Sequence, residues 1–148
     1  MSLSAFFAEN ALPVEHVKYA ASQRFLSDET DPKTGKQKPV EWEIKTITGT
    51  EDEALRQSCA KRVPVPGRKN LTQRETDYDA YLGKLAVACT VFPNLHDKAL
   101  QDSYHAMGAE ALLKTMLTPG EYIDYLRKVQ EVCGFETALG EEVEAAKN

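Results

Sequence analysis

From Ala88 to Gly134 the chain carries helix start and stop signals at such short intervals that its helices must pack directly on one another. Pro93-Asn94 ends one helix, and a second is predicted from Asp97 to Met107, presenting Leu100, Tyr104 and Met107. Gly108 breaks it. A third is predicted from Ala109 to Leu117, with Leu112, Leu113, Met116 and Leu117 facing inward. Thr118-Pro119-Gly120-Glu121 then gives three agreeing start signals: a hydroxyl N-cap, a proline at the first helical position and a glutamate that completes a capping box. The helix that follows shows Tyr122, Leu126, Val129 and Cys133 on one side. It stops at Gly134, suited to a left-handed C′ position, with Phe135 placed to pack back. Each helix carries an apolar stripe and none carries a catalytic constellation, the pattern of a molecule that binds rather than converts.

Upstream, Asp77 opens the most regular helical pattern of the chain. Tyr78, Tyr81, Leu82, Leu85, Ala88, Cys89 and Phe92 recur on one face and predict a single buried stripe. The first half reads differently. Val40, Trp42 and Ile44 alternate with charged neighbours, and the stretch from Val14 to Leu26 is also extended in character. The polar, turn-rich loop from Asp28 to Pro39 joins them, so an antiparallel hairpin is predicted, with part of the long loop available to extend the strands. Thr50-Glu51-Asp52-Glu53 reads as a capping box for a helix from Glu51 to Lys61, with Leu55 and Cys59 one turn apart. Alternate prolines in Val63-Pro64-Val65-Pro66-Gly67 forbid helix and favour an extended edge, and Arg68 to Gln73 reads as exposed loop.

A lone two-stranded ribbon is marginal in water, so helices must cover the Trp42 face. The expected fold class is therefore α+β: a small N-terminal antiparallel β-hairpin or sheet packed on a C-terminal cluster of short helices. Residues 1–135 are expected to form one domain, and 136–148 an acidic tail, frayed or loosely helical. At 148 residues the chain can bury about 70% of its unfolded surface and needs neither disulfide nor metal to fold.

Composition narrows the function. The net charge of −5 weighs against a phosphate-coating nucleic-acid binder. No apolar run approaches a membrane span, and the N-terminus lacks the basic region of a signal peptide, so a cytoplasmic protein is expected. Cys59, Cys89 and Cys133 are odd in number and without CxxC spacing, which reads as reduced thiols. Cys89, His96 and His105 lie near one another in sequence but match no closed zinc pattern, and His16 is distant. Val65-Pro66-Gly67-Arg68-Lys69 lacks phosphate-loop spacing. Glu41 and Glu43 sit on the wet face of a strand, and Glu51, Asp52 and Glu53 favour a helix N-terminus. No catalytic, cofactor-binding or metal-binding residue is assigned, and no cofactor is expected.

The candidates that remain are contact residues. Ser4 to Asn10 is predicted to form one or two helical turns capped by Ser4, too short to stand alone, so Phe6 and Phe7 must dock, on the domain first or else on a partner. Lys61, Arg62, Arg68, Lys69 and Arg74 bracket the proline-rich segment; they form either a solvated loop or a docking surface for an acidic partner segment. No aromatic residue interleaves with them as single-stranded nucleic acid would require. Met107 and Met116, with their adaptable thioethers, suit an exposed groove for a hydrophobic segment, though the core has first claim on such residues. The candidate partner-binding residues are therefore Phe6, Phe7, Arg62, Arg68, Lys69, Met107 and Met116.

Five blocks in order carry a family resemblance: Met1-Ser2-Leu3-Ser4-Ala5-Phe6-Phe7, Val40-Glu41-Trp42-Glu43-Ile44, Arg62-Val63-Pro64-Val65-Pro66-Gly67, Cys89-Thr90-Val91-Phe92-Pro93-Asn94-Leu95, and Gly108 through Tyr122. Together, to about Phe135, the chain resembles the XkdN-like tail assembly chaperones of contractile-tailed phages and prophages of Bacillus and other Firmicutes, including the YqbN-type prophage proteins. The resemblance implies a non-enzymatic role: binding the aggregation-prone tape measure protein and keeping it soluble until tail tube subunits polymerise around it. It also implies contact with the tail tube protein as a further possibility, and leaves self-association open. The rival expectation is a structural tail component retained in the particle. No nucleic acid or membrane partner is implied.

Overall fold

A computed structural model gives the fold, with residues 2–135 described. The expected α+β class holds. Strand β1 (Val17–Tyr19) pairs antiparallel with β4 (Trp42–Ile44), bringing Val17 opposite Ile44 and Tyr19 opposite Trp42. This is the pairing that the alternating residues predicted. The loop between them is itself a small hairpin, β2 (Leu26–Thr30) with β3 (Gln37–Pro39). The second neighbour of β4 comes from much later in the chain: β7 (Thr90–Phe92) completes a three-stranded sheet in the order β1-β4-β7.

Helix α1 (Gly49–Ser58) starts two residues before the sequence expectation, and the cap differs. The Thr48 hydroxyl accepts from the Glu51 N–H at 3.2 Å, and the Glu51 carboxylate accepts from the Thr48 N–H at 3.1 Å. Thr48-Gly49-Thr50-Glu51 satisfies the same capping-box pattern as Thr50-Glu51-Asp52-Glu53, and the earlier register won. The helix also ends at Ser58 rather than Lys61, because Ala60–Pro64 is strand β5. Its partner β6 (Thr72–Thr76) takes in the end of the predicted loop from Arg68 to Gln73. The β-branched threonines at each end of β6 favour extended backbone, and Pro64, at the end of β5, does not prevent pairing on a strand that has one free edge.

Helix α2 (Tyr78–Cys89) is capped by Asp77 as expected and packs against α1 and, further on, against α4 (Ala109–Met116) and α5 (Pro119–Val132). It stops at Cys89, so Phe92 belongs to β7 and is half exposed instead of closing the stripe. The Thr90 hydroxyl donates to the Ala86 carbonyl at 2.7 Å, and Thr90-Val91-Phe92, β-branched and aromatic, turns to pair with β4. Helix α3 (Lys98–Ser103) is shorter than the predicted Asp97–Met107. His105 takes a left-handed conformation with φ 53°, and the Ala106 N–H reaches back to the Gln101 carbonyl at 2.9 Å. That is a Schellman ending with histidine at the position glycine usually fills.

Helix α5 begins with the predicted Thr118–Glu121 capping box and a proline in its first turn. It ends with Gly134 at φ 85° and the Phe135 N–H on the Gln130 carbonyl at 3.0 Å, and Phe135 packs on the core. The core joins the two halves. Trp42 and Ile44 from β4 are buried with Tyr81, Leu85 and Cys89 from α2, Leu112 and Leu113 from α4, and Tyr125 and Val129 from α5. Tyr125 stacks on Tyr19 at 6.2 Å. Because the Thr90 proton goes to Ala86, the Tyr125 hydroxyl donates to Thr90, which fixes α5 to the α2–β7 junction.

Candidate partner-binding surface

The candidate residues fall on three separate segments, and one of them is not at the surface. Leu3–Phe6 forms a single 3-10 turn capped by the Ser2 hydroxyl, not the longer Ser4-capped helix expected. None of its residues is buried. Phe6 is 80% exposed and Phe7 54%, so the expectation that they dock on the domain is overturned. The Asn10 side-chain amide donates to the Ser4 carbonyl at 2.7 Å, and the Ala11 N–H to the Phe7 carbonyl at 3.0 Å, which gives this segment local order without burial. Leu3, Leu12 and Val14 are exposed alongside, with Leu12 at 92%. Sequence reasoning missed these three because it assigns apolar residues to the core by default. The signal available was Pro13, which breaks the chain between Leu12 and Val14, ahead of the alternating pattern that begins at Val17.

Met107 lies in the turn between α3 and α4 and is 93% exposed, so it does not continue the α3 stripe. The left-handed turn at His105 explains this, since it swings the chain outward before Gly108. Met116 is the opposite case. It is 4% exposed and packs within the core, so its thioether lines no open groove. Its carbonyl oxygen accepts from the Arg24 guanidinium, which also lies 3.7 Å from Glu121.

The third segment is the β5–β6 hairpin, most of whose residues are exposed. Its register puts Arg62 opposite Arg74 and Lys61 opposite Glu75. The Arg62 guanidinium donates to the Thr72 hydroxyl at 3.1 Å. Arg68 and Lys69 sit exposed in the connecting turn, held by the Arg68 N–H on the Val65 carbonyl at 3.2 Å. The hairpin thus gathers all five predicted cations on one element. Leu71, half exposed near its tip, was not anticipated.

The remaining chemistry is structural. Among the described residues no three His, Cys, Asp or Glu side chains gather where they could hold a metal ion. His96 and His105 are exposed, while Cys89 is buried with its sulfur 3.5 Å from that of Cys133. The neighbouring Cys133 and burial together push the Cys89 thiol well above its ordinary pKa, which leaves it a poor nucleophile. Glu43 is held below the ordinary carboxyl range, chiefly by Lys18 at 3.1 Å and also by His16 at 3.5 Å. Glu51 and Glu121 are lowered first by the backbone N–H groups of Thr48 and Thr118 that they cap. No helix among the described residues is long and apolar enough to cross a membrane.

Comparison with known proteins places these features in context. The model of the phage XkdN-like tail assembly chaperone family matches residues 3–147. The protein YqbN of Bacillus subtilis (strain 168) is 30% identical over 147 residues, which cover 99% of this chain and 93% of YqbN. The phage-like element PBSX protein XkdN of the same strain is 26% identical over 147 residues, with the same coverage of 99% and 93%. The crystal structure of YqbN superposes with a TM-score of 0.72 at 26% identity, covering 92% of this chain and 98% of that one.

Proposed function

This chain belongs to the phage XkdN-like tail assembly chaperone family, and we propose that it works there as a holdase for the tape measure protein. It shields the apolar helices of that protein by reversible contact, in the cytoplasm of the bacterial host, and releases them as the tail tube assembles. No covalent bond is made or broken, and no ATP is needed. We read residues 1–135 as the binding domain and 136–148 as an acidic appendage to it.

The observation that carries this reading is the N-terminal arm. Leu3, Phe6, Phe7, Leu12 and Val14 are all exposed within a short stretch, ahead of a well-packed core. Large exposed apolar residues clustered in this way mark an interaction surface more often than a solvated one. A surface of that kind suits amphipathic helices, whose apolar stripes need cover until their final partners arrive.

Co-expression with the tape measure protein of the same element tests the reading. The chaperone should raise the soluble fraction of that protein and co-purify with it. No change in solubility and no co-purification would overturn the proposal. Mass spectrometry of mature particles adds a second arm: a chaperone is absent from them, whereas stoichiometric retention would make the chain a structural tail component.

A further inference from the structure

The charge of this molecule is segregated. Residues 60–76 carry Lys61, Arg62, Arg68, Lys69 and Arg74 against Glu75 alone, a net charge of +4. The whole chain is −5, so everything outside that hairpin sums to −9. Among the described residues, none of these five cations forms an ion pair. Arg62 and Arg74 face each other across the ladder, an arrangement that costs stability unless an anion sits between or beside them. Together with Gln57, Ala60 and Lys61 they line a shallow depression of about 290 Å³.

A segment of opposite charge begins next to this depression. Residues 136–148, outside the described residues, contain Glu136, Glu141, Glu142 and Glu144 against Lys147, a net charge of −3. Their attachment point is fixed. The Phe135 ring lies 6.0 Å from the Arg56 guanidinium, and Arg56 adjoins Gln57 in the wall of the depression. A 13-residue segment can span roughly 40 Å when extended, enough to reach any part of the hairpin from there. A short tether of this kind holds its end at an effective concentration on the order of millimolar.

We propose that the acidic C-terminal segment binds the basic β5–β6 hairpin of its own chain and covers it as an intramolecular placeholder. A partner that uses the hairpin must then displace the segment, so the charge pair sets a threshold for docking. The proposal stands independently of which tail protein the chain serves.

Zero-length carbodiimide cross-linking of the full chain, performed on an equal mixture of 14N- and 15N-labelled protein, tests it. Cross-links should join carboxylates of residues 136–148 to Lys61 or Lys69, within single chains. Their yield should fall several-fold between roughly 50 mM and 500 mM salt, as screening shortens the reach of the charges. In the Glu141→Gln, Glu142→Gln, Glu144→Gln variant, the backbone amides of Arg62 and Arg74 should shift in NMR spectra while those of the core strands β4 and β7 stay in place. Differently labelled chains in about half of the cross-links, the share that random pairing between copies gives in an equal mixture, would assign the segment to a second copy and overturn the proposal. So would absent cross-links, cross-links to lysines elsewhere, or hairpin amides unmoved by the triple substitution.

Discussion

Tyr81 on α2 donates its hydroxyl proton to Asp52 on α1. The same carboxylate accepts from the Arg56 Nε at 3.0 Å, and the Arg56 guanidinium lies over the Tyr81 ring at 4.4 Å. Burial first, and then the hydrogen bond to Asp52, push the Tyr81 hydroxyl well above its ordinary pKa, so it stays a donor. Tyr81→Phe keeps the ring and the cation contact and removes only the hydroxyl. Because Asp52 retains Arg56 and some solvent access, the expected loss is about 1–2 kcal/mol in urea unfolding. A change within error would show that water replaces the hydroxyl without cost.

The paired variant Phe6→Ser, Phe7→Ser separates surface from core. Stability should stay within about 0.5 kcal/mol of the parent, as for substitutions that touch no packed side chain. Co-purification of the tape measure protein should fall sharply. A loss of several kcal/mol in denaturant would mean that the two rings are packed in solution and would remove the arm as a binding surface.

The two overlapping capping boxes make opposite forecasts. Thr48→Ala removes the observed cap and should cost about 1 kcal/mol, while Thr50→Ala, inside the first turn and without a side-chain bond, should change stability by only a few tenths. Equal effects, read from chemical denaturation, would show that α1 shifts between the two starts.

Gly83 sits in the middle of α2, where a Cβ would meet the Tyr122 hydroxyl at 3.3 Å and the Glu110 carboxylate at 3.7 Å. Both are ends of long side chains that can yield by a few tenths of an ångström. Alanine is favoured over glycine inside a helix by about 1 kcal/mol, so Gly83→Ala should be neutral or stabilising by up to that amount. Gly83→Leu should lose roughly 1–3 kcal/mol or more, because the α2–α5 packing has no room for it. Thermal melts of the two variants decide the matter, and a destabilised alanine variant would show Tyr122 to be rigid.

Acid should weaken the fold through three carboxylates. Glu43, Glu51 and Glu121 each have a folded pKa below the ordinary value of 4.5. A group lowered on folding binds more protons when unfolded, so its stabilisation is complete above the unfolded value and is lost as pH falls through the folded one. The denaturation midpoint should therefore be flat from neutral pH down to about 5 and fall below about 4.5. Glu121→Gln should flatten part of that fall. A midpoint that rises on acidification would contradict the assignment.

How far the sequence revealed this structure depended on the kind of signal. Thr118-Pro119-Gly120-Glu121 and Gly134 were legible because cap, proline and glycine act locally and agree. Trp42 and Ile44 were legible from alternation alone. Tyr125 and Leu95, both fully buried, were missed. Tyr125 lies off the stripe drawn through Tyr122, Leu126 and Val129, because α5 is covered on two sides, by the sheet as well as by α2. The β7 strand was hidden for a different reason: three residues continuing an amphipathic helix look helical until their pairing partner, 46 to 49 positions earlier, is known. Of the candidate surface, the basic hairpin was legible as a charge cluster. The exposure of Phe6, Phe7 and Met107 was not, because composition cannot distinguish an apolar residue kept for a partner from one kept for the core.

The late arrival of β7 has a consequence for how the protein is born. While the ribosome is still adding residues before Thr90, the emerging chain can offer Trp42 only a narrow ribbon and helices that have not all been made. The sheet waits for its third strand, and the tyrosine that seals it, Tyr125, comes later still. Until Tyr125 has been made, the rings of Tyr19 and Trp42 lack the side chain that covers them, so the centre of the molecule is finished from its far helix inward.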